Sequence, residues 1–227
     1  MDSNERSLAL FTGIIFLWLI LNGVANALFF PGIPSGTYAA AAKTVATSTL
    51  QYRLDSADLL VETLSGVLLQ FGLYSLLRRV NGELALLGLL FMFQDSCTSA
   101  VLRGLGFARV GLYAPPAATS AGAPPLQNSA ELIRWISDYI EKVGGISFGI
   151  GLLLFFYLFF RSAYLPKILS ILGLIVSTFW VGLYFVILLR PEYRAVLQYP
   201  AFGMLAAINV ASGIFLIRFG LARNIHQ

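Results

Sequence analysis

Apolar residues gather into six long stretches separated by short polar punctuation. The first, residues 8–30, is long enough to cross a hydrocarbon core of about 30 Å with some tilt. The others cover about 57–77, 84–108, 144–161, 168–189 and 201–221. Pro31-Gly32-Ile33-Pro34-Ser35-Gly36 should end the first helix, because proline blocks propagation and glycine permits the turn. Residues 38–54 are rich in Ala and Thr and carry Lys43 and Arg53, a composition suited to a helix lying on the membrane surface. Asp55, Ser56 and Asp58 then offer caps and first-turn acids for the second span. Tight basic turns follow at Arg78-Arg79-Val80-Asn81-Gly82-Glu83 and Arg161-Ser162-Ala163-Tyr164-Leu165-Pro166-Lys167.

The stretch 109–128, with Pro115-Pro116 and Pro124-Pro125, is too polar and too broken to span. Asn128-x-x-Glu131 has the form of a capping box for a short helix over 129–142. Leu132, Ile133, Trp135, Ile136, Tyr139 and Ile140 would share its apolar face, opposite Glu131, Arg134, Asp138 and Glu141. That pattern predicts a helix at the membrane interface, or a lid over the bundle. Gly144-Gly145 should open the fourth span, Arg190-Pro191 close the fifth, and Pro200 open the sixth.

Composition narrows the class. Hydrophobic residues make up 58% and charged residues 11% of the chain, against about 25% charged in soluble domains. With a mean hydropathy of +0.79, the fold class is all-α: an integral membrane bundle of about six transmembrane helices with one or two interfacial helices, in a single membrane domain over 1–227. The lipid bilayer is the first partner implied. A small molecule, a lipid or a protein subunit is a further possible partner, and nucleic acid is not, since no basic cluster is interleaved with exposed aromatics. Ala25-Asn26-Ala27 resembles a cleavage site, but the preceding polar segment lacks net positive side-chain charge, so a retained first helix is expected. Arg78, Arg79, Arg161 and Lys167 lie in very short turns, which favours both termini in the cytoplasm. Cys97 is the single cysteine and His226 the single histidine, so CxxC motifs, bis-histidine haem and Ser/His/Asp triads are absent and no cofactor is expected.

Against this background Asp95 stands out. It lies about 17 Å into the third span counted from Leu84, near the midplane, where a carboxyl costs roughly 2.5–3.5 kcal/mol to insert. Glu62 lies about 22 Å above Leu77, and Arg103 about 28 Å above Leu84. Asp95, Glu62, Gln94, Ser99, Arg103 and Asn209 are therefore the candidate intramembrane polar site. They could line a cavity that binds a ligand or moves a proton, or they could be hydrogen-bonding glue between helices. No nucleophile–base pair accompanies them, so no catalytic residue is assigned.

Three stretches carry a family resemblance: Leu76 to Leu86, the run LLFFYLFFRSAYLPKILSILGL from Leu153 to Leu174, and the closing helix with Gly220-Leu221. Together they resemble the bacterial multi-pass membrane proteins of domain-of-unknown-function family 4386. The resemblance implies about six helices in a bacterial inner membrane and no established activity. It also implies a carboxylate in the third span, which Asp95 matches. A basic residue often stands three positions earlier, where this chain has Met92. The leading expectation is non-enzymatic binding of a small or lipidic ligand, or an accessory-subunit role. A small proton-coupled transporter using Asp95 comes second, and an intramembrane lipid-modifying enzyme third.

Overall fold

A computed structural model describes residues 3–30, 38–113 and 123–221. The expected turn at 31–36, the Pro115-Pro116 pair and His226 lie outside them. Among the described residues the chain is helical throughout: α1 (Ser3–Phe29), α2 (Tyr38–Thr47), α3 (Thr49–Leu77), α4 (Gly82–Tyr113), α5 (Ala123–Arg161), α6 (Lys167–Leu189) and α7 (Arg194–Leu221), with a 3-10 turn at Pro191–Tyr193. Every helix but the short α2 is long and apolar enough to cross a membrane, six in all.

Contacts run α1–α3, α3–α4, α4–α5, α5–α6, α6–α7 and α7–α1, so the long helices close into a ring of antiparallel neighbours. In lipid, apolar side chains gain little from leaving the hydrocarbon, so close backbone approach and interhelical hydrogen bonds hold such a bundle. Both are present. A Cβ on Gly13 of α1 would stand 2.7 Å from the Gly213 carbonyl of α7, and one on Gly151 of α5 would strike Met92 and stand 2.9 Å from the Gly88 carbonyl of α4. Gln70, 2% exposed, donates to the Met92 carbonyl (3.1 Å) and to Ser96 Oγ (2.7 Å), tying α3 to α4. Trp18 donates to Ser65 Oγ and Trp180 to the Gly145 carbonyl. The centre is filled by Leu152, Phe155, Phe156 and Phe159 of α5 against Leu73, Leu76 and Leu77 of α3.

Several boundaries differ from expectation, each for a physical reason. The α3 helix starts at Thr49, so Asp55, Ser56 and Asp58 stand inside it rather than capping it. Asparagine amides from α1 satisfy both carboxylates: Asn26 Nδ2 donates to Asp55 and Asp58, and Asn22 Nδ2 to Asp58, at 3.0–3.1 Å. The interfacial helix expected at 129–142 is the first part of the unbroken α5. Asn128 therefore caps nothing, and Glu131 accepts instead from Gln127 one turn earlier. Gly144 and Gly145 do not break α5, because their missing side chains serve packing: Gly144 faces Asp95 and Thr98, and Gly145 lies under the Tyr184 ring. Likewise α7 begins at Arg194 and runs through Pro200. The missing proline N–H falls near the helix start, where one lost backbone bond is tolerated in membrane helices.

One end of the ring holds the Arg78–Asn81 and 162–166 turns. At the other, Ala41, Ala42 and Val45 of α2 pack with Tyr52, Val110, Tyr113 and Ala130. Tyr38 fixes α2 there by donating to the Leu112 carbonyl at 2.7 Å.

Candidate functional site

Asp95 sits on α4 against the α5 backbone; a Cβ at Gly144 would stand 2.9 Å from its Oδ1 and 2.6 Å from Thr98 Oγ1. Thr98 spends its hydroxyl hydrogen on the Asp95 carbonyl, at 2.7 Å. Arg103, two turns toward the α2 end, acts electrostatically on Asp95, on Glu62 and on Asp55. Asp95, Glu62 and Arg103 are therefore electrostatic neighbours on α3 and α4, whereas Gln94, half-buried one position before Asp95, projects about 100° around α4 from it. Ser99 is half-buried on α4, and its side chain forms no hydrogen bond among the described residues. Asn209 does not join them. It lies on α7, across the ring from α4, with its Oδ1 buried and without a partner.

A second constellation surrounds Arg103 on its outer side. A cavity of about 320 Å³ opens between α4 and α5 and includes Arg103, Arg109, Arg134, Asp138, Glu141 and Arg194 in its wall. A smaller cavity of about 160 Å³ adjoins it between α3 and α4, sharing Arg103 and Arg109 and adding Asp55 and Tyr52. The four arginines of the larger cavity are not equivalent. Arg194 is saturated: Nη1 donates to Asp138 at 2.6 Å, Nη2 to both Glu141 oxygens at 2.6 and 2.7 Å, and Nε to Gln198 at 2.9 Å. Burial works against its charge, but the Glu141 carboxylate, seconded by Asp138, more than compensates and holds its pKa above the ordinary value. Lys142, only 3% exposed, takes the other Asp138 oxygen at 2.6 Å and lies 4.9 Å from the centre of the Tyr139 ring. The two wall carboxylates are thus consumed by Arg194 and Lys142.

Arg103, Arg109 and Arg134 form no ion pair within 4.0 Å among the described residues, although Arg103 lies in the field of Asp55, Glu62 and Asp95. Arg103 Nε and Arg109 Nε are moreover buried donors with no acceptor. A buried donor left unpaired costs about 1–3 kcal/mol, more for a charged group; a ligand in the cavity would meet the accessible parts of these guanidinium groups rather than the buried Nε atoms.

A polar thread leads inward from this cavity. Gln198 Nε2 donates to Glu141 (3.4 Å) and to the Tyr184 hydroxyl (3.3 Å), and Tyr184, 4% exposed, lies within the field of Asp95. The hydrogen-bonded thread from the cavity ends at Tyr184, and no hydrogen bond carries it on to Asp95 among the described residues.

Residue-level expectation reached Arg103 but not Arg109, Arg134, Arg194, Asp138 or Glu141 as a site. The signal was present: Arg134, Asp138 and Glu141 are spaced i, i+4, i+7 and share one face. That face reads as solvated while 129–142 is taken as a separate surface helix. Among the described residues no three His, Cys, Asp or Glu side chains are grouped to hold a metal ion.

No curated protein and no solved structure matches the chain. Residues 11–220 match the sequence profile described as "Domain of unknown function (DUF4386)", a match that takes in α2 to α6 entire, α1 from Phe11 onward and α7 but for its last residue. By that match the chain, a helical bundle with six candidate transmembrane helices, belongs to the DUF4386 family.

Proposed function

We propose that this single membrane domain is a non-enzymatic binding protein whose ligand is an anion held by Arg103, Arg109 and Arg134. The observation that carries this reading is the asymmetry among neighbours: the wall carboxylates are consumed by Arg194 and Lys142, and three guanidinium groups remain unpaired around a cavity large enough for a small anionic group. Guanidinium forks suit carboxylate and phosphate oxygens, each pair of parallel N–H donors matching two acceptors. The short basic turns support an orientation with the opposite end of the ring in the cytoplasm and this cavity on the far side.

The test is thermal unfolding of the purified chain in uncharged detergent, titrated with phosphate, sulfate and dicarboxylates against chloride at equal ionic strength. A bound anion at 100 times its Kd stabilises by about 2.7 kcal/mol. A multivalent anion should raise the midpoint, and Arg109→Gln should remove most of the rise. An equal response to chloride, or an unchanged rise in Arg109→Gln, contradicts the reading.

The thread through Gln198 and Tyr184 favours a second reading, a carrier in which Asp95 takes up a proton as the cavity fills. In that case Asp95→Asn leaves binding intact and abolishes the pH dependence of transport in vesicles. Transport with unaltered pH dependence in Asp95→Asn rules it out.

A further inference from the structure

We infer that the anion bound between α4 and α5 is the phosphate headgroup of an anionic phospholipid, entering sideways from the bilayer; this rests on the anion-binding reading above. Depth is the first argument. Counted from Leu84 at the basic turn, Arg103 lies about 28 Å and Arg109 about 37 Å along α4, so the pair brackets the far edge of a hydrocarbon core about 30 Å thick. Counted back from Arg161, Lys142 is about 28 Å and Arg134 about 40 Å along α5, the same two levels. The phosphate layer of one leaflet falls between them.

The neighbouring surface supports the same depth. Trp135 and Tyr139 lie at the level of Arg134 on the outer face of α5, 61% and 50% exposed, with ring centres 6.3 Å apart. Exposed Trp and Tyr mark the level where hydrocarbon meets headgroups. Leu132 and Ile136 on that same outer face of α5, and Phe107 on α4, are likewise exposed at this level, as expected of surface in contact with acyl chains. The cavity wall is itself mixed, with Leu102 and Leu105 beside the arginines. Basic recesses between transmembrane helices at this level suit anionic headgroups. A freely soluble anion would need the cations but neither their placement at the headgroup level nor the leucines in the wall.

The experiment uses the full chain reconstituted in vesicles of equimolar phosphatidylglycerol and phosphatidylcholine, extracted gently, with retained lipid measured by native mass spectrometry. Glycerol phosphate, which carries the headgroup chemistry without tails, is the competitor. Phosphatidylglycerol should be retained in preference to phosphatidylcholine. The preference should fall roughly fivefold for each of Arg103→Gln, Arg109→Gln and Arg134→Gln, the change expected when one basic residue facing an anionic headgroup is lost. Arg134 is exposed, so its variant reads binding even if the two deeper variants misfold. Equal retention of both lipids, with glycerol phosphate stabilising the protein in an arginine-dependent way, overturns the lipid inference and leaves the anion reading standing. Equal retention with no response to glycerol phosphate overturns both. A phosphatidylglycerol preference that survives in Arg134→Gln and in both folded deeper variants overturns the assignment of the site.

Discussion

Replacing Arg194 tests whether the cavity's charge asymmetry has the origin assigned to it. Arg194 makes three short hydrogen bonds to two carboxylates, an arrangement that costs about 3–5 kcal/mol to break when wholly buried. Fully exposed pairs are worth only about 0.2–1 kcal/mol. The side chains here lie between these limits, 39% exposed for Arg194, 36% for Asp138 and 35% for Glu141. Discounting the buried value for that exposure gives a coupling of about 1–2 kcal/mol between Arg194 and Glu141. The assay is a double-mutant cycle of Arg194→Gln, Glu141→Gln and the double variant, unfolded at equilibrium in bicelles. A further consequence is specific to the site. In Arg194→Gln the Glu141 carboxylate loses its cation in a wall shared with Arg109 and Arg134, while Asp138 keeps Lys142, so anion affinity should fall although Arg194 is not among the three unpaired arginines. Adding Glu141→Gln should restore part of it. A coupling below about 0.3 kcal/mol, within the error of simple additivity, would refute the reasoning. So would unchanged anion affinity in Arg194→Gln.

Other outcomes follow from the same geometry. Gly151→Val should destabilise by about 1–3 kcal/mol, because its side chain must enter the space of Met92 and the Gly88 carbonyl; equilibrium unfolding reads this, and a neutral result would mean α4 and α5 are not so close. Gln70→Met should cost only about 0.6–1.7 kcal/mol despite two interhelical hydrogen bonds, as bilayer measurements of such bonds suggest. The Tyr38 hydroxyl has its pKa raised above 10.0 chiefly by burial, with the Tyr113 hydroxyl adding to it. Its contribution to α2 docking is therefore complete below pH 10.0 and lost as pH climbs through the higher folded value. After correction for base-catalysed intrinsic exchange, protection in 38–47 should fall above that point, and Tyr38→Phe should remove that fall.

The spans were legible because lipid permits only internally bonded backbone, so a long apolar run without charge has few alternatives to a helix. The boundaries were harder for the same reason. Gly144-Gly145 and Pro200 read as breaks in water but lie within helices here, where the glycines admit Asp95 and Tyr184. Asp55 and Asp58 have capping chemistry locally, and only the arrival of Asn22 and Asn26 from α1 reassigns them. Asp95, Glu62 and Arg103 could be grouped by depth alone. Asn209 lies at a similar remove from the bundle ends, but ring order puts its helix across from α4. Depth is written in residue number, whereas azimuth around the ring is not. The arginine cavity was hidden by one error of continuity: once α5 runs unbroken from Ala123, Arg134 and Glu141 come level with Arg103 and Arg109.

The central claim is that three unpaired arginines make the α4–α5 cavity an anion site. The most direct measurement is the affinity of the purified chain for inorganic phosphate, with Arg103→Gln, Arg109→Gln and Arg134→Gln compared singly and together. Arg218→Gln, exposed at the opposite end of the ring, is the charge-matched control. Stepwise loss of affinity across the three variants, with the control unchanged, is the predicted result. Equal affinity in the triple variant and the control would contradict the account.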